Sequence, residues 1–186
     1  SVVGLSGSFF AARAEVCRDW PTSIPSDFST LLNSVRLGFR GVSDPLSVGV
    51  YSNIKNEKKE FDRKVRTITR GISALMAHAG LMNPFRYKMF SWQLFSHKLM
   101  RWLVPWFLVA AFGAHLALAG RSLFYRVMFI PHALFYGLSL VGALSSSRAP
   151  YLKIPLYFVL VNRATALAWV KYLRGERFVV WDPSAR

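Results

Sequence analysis

Acidic side chains are scarce in this sequence: 9 Asp and Glu stand against 24 Lys and Arg among 186 residues, a formal net charge of +15. Between Asp62 and Glu176 there is no carboxylate at all. A stretch that long with charge of one sign excludes an ordinary mixed-charge globular surface and fits one that lies against phosphates, of lipid headgroups or of a substrate. Cysteine is limited to Cys17, which excludes an intrachain disulfide and reads as a buried structural thiol in a reducing compartment. No Asp-x-Asp occurs, so the usual ligands for a divalent metal and its diphosphate are missing, and there is no Gly-rich phosphate loop. The 4 histidines, His78, His97, His115 and His132, form no metal-ligand pattern. The sequence does not open on Met, and no charged segment followed by an apolar core is visible at its start, so no signal peptide is expected in it. Ser1-Val2-Val3-Gly4-Leu5 reads like the middle of a strand, and the expectation is a chain that starts inside a larger protein.

What is present is apolar: 53% of the residues are hydrophobic, gathered in long runs. High apolar content with high positive charge leaves nucleic-acid binders and membrane proteins with basic flanks. The aromatics sit in the apolar runs and are not interleaved with basic residues on a soluble surface, so a nucleic-acid partner is not expected. Residues 102–120 are uncharged and long enough to span a bilayer, and residues 123–144 are a second candidate, with Arg126 near one end to snorkel and His132 near the middle for helix–helix hydrogen bonding. Residues 154–173 are a third run with Asn162 and Arg163 at the centre. A mid-bilayer Arg costs about 2.5–3.5 kcal/mol on insertion scales, so two or three spans are open. Trp102, Trp106 and Trp169 read as interface anchors. The basic region before the first span should be cytosolic, and two spans plus a re-entrant third segment would keep the basic tail, residues 174–186, on that side.

Ahead of the spans, residues 1–56 read as soluble and mixed α/β. Residues 2–5, 9–12, 39–42 and 46–51 are short apolar runs that suit strands. Phe28, Leu31, Leu32 and Val35 have helical spacing, with Gly38 as a stop. A charged turn at 57 opens a basic helix through residue 71. Residues 72–101 follow as interfacial amphipathic helices broken near Gly80 and Pro84, with Arg86, Gln93, His97 and Arg101 on one face and Phe85, Met89, Trp92 and Leu99 on another.

Several segments in order carry a resemblance: Ser6-Gly7-Ser8 with Ala11-Ala12-Arg13, Pro25-Ser26-Asp27-Phe28, Gly38-Phe39-Arg40, Arg63-Lys64-Val65-Arg66-Thr67, Ser96-His97-Lys98, and the tail Tyr172-Leu173-Arg174-Gly175-Glu176-Arg177 with Trp181. Together they resemble the C-terminal half of a membrane-bound family 2 glycosyltransferase, of the cellulose-synthase-like and exopolysaccharide group. The resemblance implies the acceptor side of an α/β type-A transferase domain over residues 1–71, then interfacial helices and a helical membrane region. It implies inversion at the sugar, with Asp27 as the general base that deprotonates the acceptor hydroxyl. It places Lys64, Arg66 and Arg63 on the leaving diphosphate, and Ser6, Gly7 and Ser8 along the acceptor. The family usually has an acidic residue before the base, where this chain has Ser26. It carries Gln-x-x-Arg-Trp where this chain has Arg63 and Thr67, which favours transfer of one or a few sugars over polymer extrusion.

From the residues alone, Ser26 or Asp27 equally suits a helix N-cap, Ser6-Gly7-Ser8 a tight turn, and the 63–66 segment a juxtamembrane basic patch on anionic lipid. The functional expectation is a nucleotide-sugar donor, a lipid-linked or polysaccharide acceptor, membrane lipids as neighbours, and a bacterial plasma membrane with the soluble part cytosolic. A divalent metal, Mg or Mn, is expected in the full-length enzyme on ligands outside this chain, which is expected to be inactive alone. A non-catalytic membrane anchor or assembly protein with a basic docking surface is the alternative.

Overall fold

The computed structural model describes residues 2–5, 9–18, 24–50, 57–145, 149–176 and 178. Helix accounts for 76% of them, and none lies in a strand or sheet. The α/β transferase domain expected for residues 1–71 is therefore corrected: the described part of that region is helix and irregular backbone. The reason is pairing. A strand needs a neighbour for its N–H and C=O groups and a core face for alternate side chains. Two of the segments read as strands meet at a backbone bond, Val2 N–H to the Gly41 carbonyl at 3.0 Å, without a ladder. In residues 46–50 the apolar members Leu46, Val48 and Val50 are 90%, 76% and 96% exposed. Asp44 instead turns that stretch, its carboxylate accepting from Leu46 N–H at 3.0 Å and the Ser47 hydroxyl at 2.9 Å.

Helix α1 is Ser26–Arg36, on the apolar spacing seen in the sequence. Gly38 ends it at φ 86°, with Phe39 N–H bonded to the Ser34 carbonyl at 2.8 Å and Gly38 N–H to Val35 at 3.1 Å, the paired closure that a left-handed glycine permits. Helix α2, Glu57–Ala77, runs through residue 71 from the basic segment into the amphipathic region. A 3-10 turn, Ala79–Met82, leads to α3, Pro84–Leu94, which Asn83 caps by accepting from Phe85 N–H at 3.0 Å. A π-helical turn, Phe95–Met100, joins α3 to α4, Arg101–Leu118; α5 is Leu123–Leu144 and α6 Pro150–Leu173.

The chain forms two compact units, Ser1–Trp102 with Leu167–Arg186, and Leu103–Ala166. In the first, α2 buries Val65, Thr69, Ile72 and Leu75 along one stripe, and α1 buries Phe28, Leu31 and Leu32. Trp102 is the hub of this unit and not the interface anchor expected. It is 6% exposed; its indole closes on Gly71, where an added Cβ would lie 3.0 Å from the ring, and meets Phe28 edge-on at 6.5 Å. Its carbonyl accepts from Trp169 Nε1 at 2.8 Å, and the Thr69 hydroxyl lies 3.4 Å from the Ala168 carbonyl, so the end of α6 is tied into the same unit. Cys17 is only half-buried; Val16 is the buried member of its 3-10 turn, Ala14–Cys17.

In the second unit, Phe112 packs on Phe129, His132 and Tyr136 at 5.7, 5.4 and 5.5 Å between ring centres. His115 and His132 share a hydrogen bond, Nδ1 to Nδ1 at 2.7 Å, the helix–helix role read for His132. An apolar groove of about 380 Å³ is lined by Pro105, Phe112, Tyr136 and Phe158, with Asn162 and Arg163 as polar members. Among the described residues, two helices are long and apolar enough to cross a membrane: the continuous run Pro84–Leu118 and Leu123–Leu144. Most of their apolar side chains are uncovered, as lipid-facing surface requires.

Candidate functional site

Asp27 stands in the first turn of α1, where the free N–H groups favour a negative charge. The N-cap position belongs to Pro25, and no side chain caps the helix. The capping role open to Ser26 or Asp27 is thus not taken, which leaves the Asp27 carboxylate available. The group is half-buried and, among the described residues, forms no ion pair.

Two cations from other elements nevertheless feel its charge: Arg70 of α2 and Lys98 of the π turn. Arg70 reaches the entry of α1, Nη2 donating to the Ile24 carbonyl at 3.3 Å. Its Nε is buried with no acceptor among the described residues. Burial pulls the Arg70 guanidinium below its ordinary value; Asp27 opposes this, and repulsion from Arg66 adds to it. Lys98 carries its ammonium over the Phe28 ring, 4.8 Å from the centre, so the residue after Asp27 positions it.

The expected diphosphate clamp is differently engaged. Arg63 forks onto Glu60 with two bonds of 2.9 Å, and Lys64 Nζ lies 3.4 Å from the same carboxylate. The Arg63 hydrogen bond, against some opposition from burial, holds the Glu60 carboxyl below the ordinary glutamate range. Arg66 lies one turn before Arg70 and close enough to repel it. Ser6, Gly7 and Ser8 lie outside the described residues, as do Arg177 and Trp181. Arg13 is exposed, 3.7 Å from Glu15 and 5.2 Å above the Phe39 ring.

Arg70 and Lys98 are thus held at the two neighbours of the Asp27 turn, the Ile24 carbonyl and the Phe28 ring, within range of its charge. Arg70 and Lys98 carry no role in the sequence reading. The signal for Arg70 was its place four residues after Arg66, on the same helix face. Lys98 stood within Ser96-His97-Lys98, but only folding shows that its ammonium returns to α1.

A carboxylate with unused lone pairs, flanked by cations, can take a proton from a hydroxyl while the cations face negative charge developing nearby. A divalent cation does not suit this position. Arg70 and Lys98 would repel it, and no three His, Cys, Asp or Glu converge among the described residues. No protein-family profile, curated protein or solved structure matches the chain.

Proposed function

We propose that this chain is the acceptor-side and membrane part of an inverting glycosyltransferase, with Asp27 as general base. The observation that carries the reading is Asp27 itself: uncapped, unpaired among the described residues, and set against Arg70 and Lys98. In this mechanism Asp27 takes the proton of an acceptor hydroxyl as its oxygen attacks the anomeric carbon of a nucleotide-sugar. The bond to the nucleoside diphosphate breaks, and the diphosphate leaves with the electron pair. Arg70 and Lys98 face the growing phosphate charge, a role given to Arg63, Lys64 and Arg66 by the family resemblance.

The acceptor is a glycan or a lipid-linked sugar. The setting is a bacterial plasma membrane with unit one cytosolic, and a divalent metal, where the reaction uses one, is held by residues outside this chain. Phe85, Met89 and Trp92, 94%, 67% and 64% exposed, favour a helix α3 lying in the headgroup layer.

The test is Asp27→Asn in the intact protein in membranes, at matched expression, assayed with a panel of nucleotide sugars. Loss of a general base costs roughly 10²–10⁴-fold in turnover with donor binding kept. Full turnover in the variant would sink the reading and leave the non-catalytic anchor in its place.

A further inference from the structure

The π turn that delivers Lys98 also opens a pocket of about 470 Å³ in the first unit, lined by Val3, Gly4, Ser96, His97, Lys98 and Arg101. No carboxylate lines it. Three of its side chains are nitrogen donors, and none of the three has a hydrogen-bond or ion-pair acceptor among the described residues. Ser96 is not one of these, because its hydroxyl bonds back to the Trp92 carbonyl at 2.8 Å. Lys98 is fixed on one side by the Phe28 ring, 4.8 Å away, and on the other by Gly4, where an added Cβ would lie 3.3 Å from Nζ. A glycine there leaves room beside the ammonium that any side chain would fill. Wider π turns recur at functional sites because they re-aim consecutive side chains, and this one turns Lys98 and Arg101 toward one space.

We propose that this pocket binds a phosphate group, held by Lys98 and Arg101 with His97 as an additional donor. Clustered cations without acceptors gain most from an oxyanion that several N–H groups reach together. Two sources share this chemistry: a free diphosphate such as a nucleotide-sugar leaves behind, and the phosphate of a lipid headgroup. The first source rests on the transferase reading; the pocket does not.

Titration of the purified intact protein with inorganic diphosphate, and flotation with vesicles of pure phosphatidylcholine or phosphatidylcholine with phosphatidic acid, separates the sources. Lys98→Met and Arg101→Gln are each expected to weaken binding of one probe on the order of tenfold, about 1.4 kcal/mol, and Lys98→Arg to restore most of it. Loss confined to diphosphate assigns the free ligand; loss confined to phosphatidic acid vesicles assigns the headgroup. Arg101 is exposed, so its variant serves even where Lys98→Met unfolds. Unchanged binding of both probes by Arg101→Gln and by folded Lys98→Met overturns the proposal. Asp27→Asn should keep diphosphate binding, so a failed transferase reading and a failed phosphate pocket give different results.

Discussion

Lys88 has φ 47° and ψ −125° inside α3, the one non-glycine residue with positive φ among those described. A Cβ in the positive-φ region costs about 1–2 kcal/mol. The kink is held from outside Lys88: the Ser91 hydroxyl lies 2.8 Å from both the Leu81 and the Asn83 carbonyls, fastening the helix to the turn before it. The kink separates Phe85, fully outward, from Phe90 and Leu94, which are buried. Lys88→Gly should therefore raise the thermal midpoint of the detergent-solubilised protein by an amount equivalent to about 1 kcal/mol, whereas Lys88→Ala, which keeps a Cβ, should not. Equal midpoints for both variants would show that the backbone there carries no strain. Nothing in the sequence marks this position. Lys88 sits between aromatic and apolar neighbours like any surface lysine, and its backbone is dictated by contacts ten residues long that a local pattern does not contain.

At the scale of elements, the helices were legible, whereas the strands read from the short apolar runs do not form among the described residues. Phe28, Leu31, Leu32 and Val35 with Gly38 beyond them define α1, because helical hydrogen bonds are local and the stop is a property of one residue. Short apolar runs such as 46–50 carry the alternation of a strand, but a strand exists only with a partner, and that is not written in the run itself. The cations near Asp27 were not legible, because only tertiary packing brings Arg70 to the Ile24 carbonyl and Lys98 over the Phe28 ring. Trp102 shows the same limit: a tryptophan at the head of an apolar run reads as an interface anchor, and only the approach of Gly71 and Trp169 makes it core. Between α5 and α6 the decisive residue is again a glycine. A Cβ on Gly142 would fall 2.9 Å from the Leu152 carbonyl oxygen, backbone that does not move aside cheaply. Gly142→Ala should lower the thermal midpoint in detergent by an amount equivalent to about 1–3 kcal/mol. Gly137→Ala, on the same helix with nothing within 4 Å, should leave it unchanged or raise it. Equal effects at the two positions would mean that α5 and α6 do not approach closely.

For the whole molecule the informative fact is that the chain leaves the first unit at Trp102 and returns to it at Leu167. Residues on both sides of that excursion are bonded: Trp169 to the Trp102 carbonyl at 2.8 Å, Thr69 to the Ala168 carbonyl at 3.4 Å. In a membrane, a compact unit would keep these bonded segments on one side, and the residues between them would cross an even number of times. The two helices with spanning length and composition would supply a crossing and its return. Helix α6, Pro150–Leu173, with Lys153, Asn162 and Arg163, would then end on the side where it began. Lys171 and Arg174 near its end agree with that side being the one that holds the basic α2. Single cysteines in a Cys17→Ser background test this with a membrane-impermeant maleimide. Lys58→Cys and Arg174→Cys, both at exposed positions, should label from one face of sealed vesicles, and Arg121→Cys in the turn between α4 and α5 from the other. Labelling of Arg174→Cys together with Arg121→Cys would require a third full crossing. The bonds from Trp169 and Thr69 could not then form, and Lys98 and Arg101 would lie on the opposite side of the membrane from the tail.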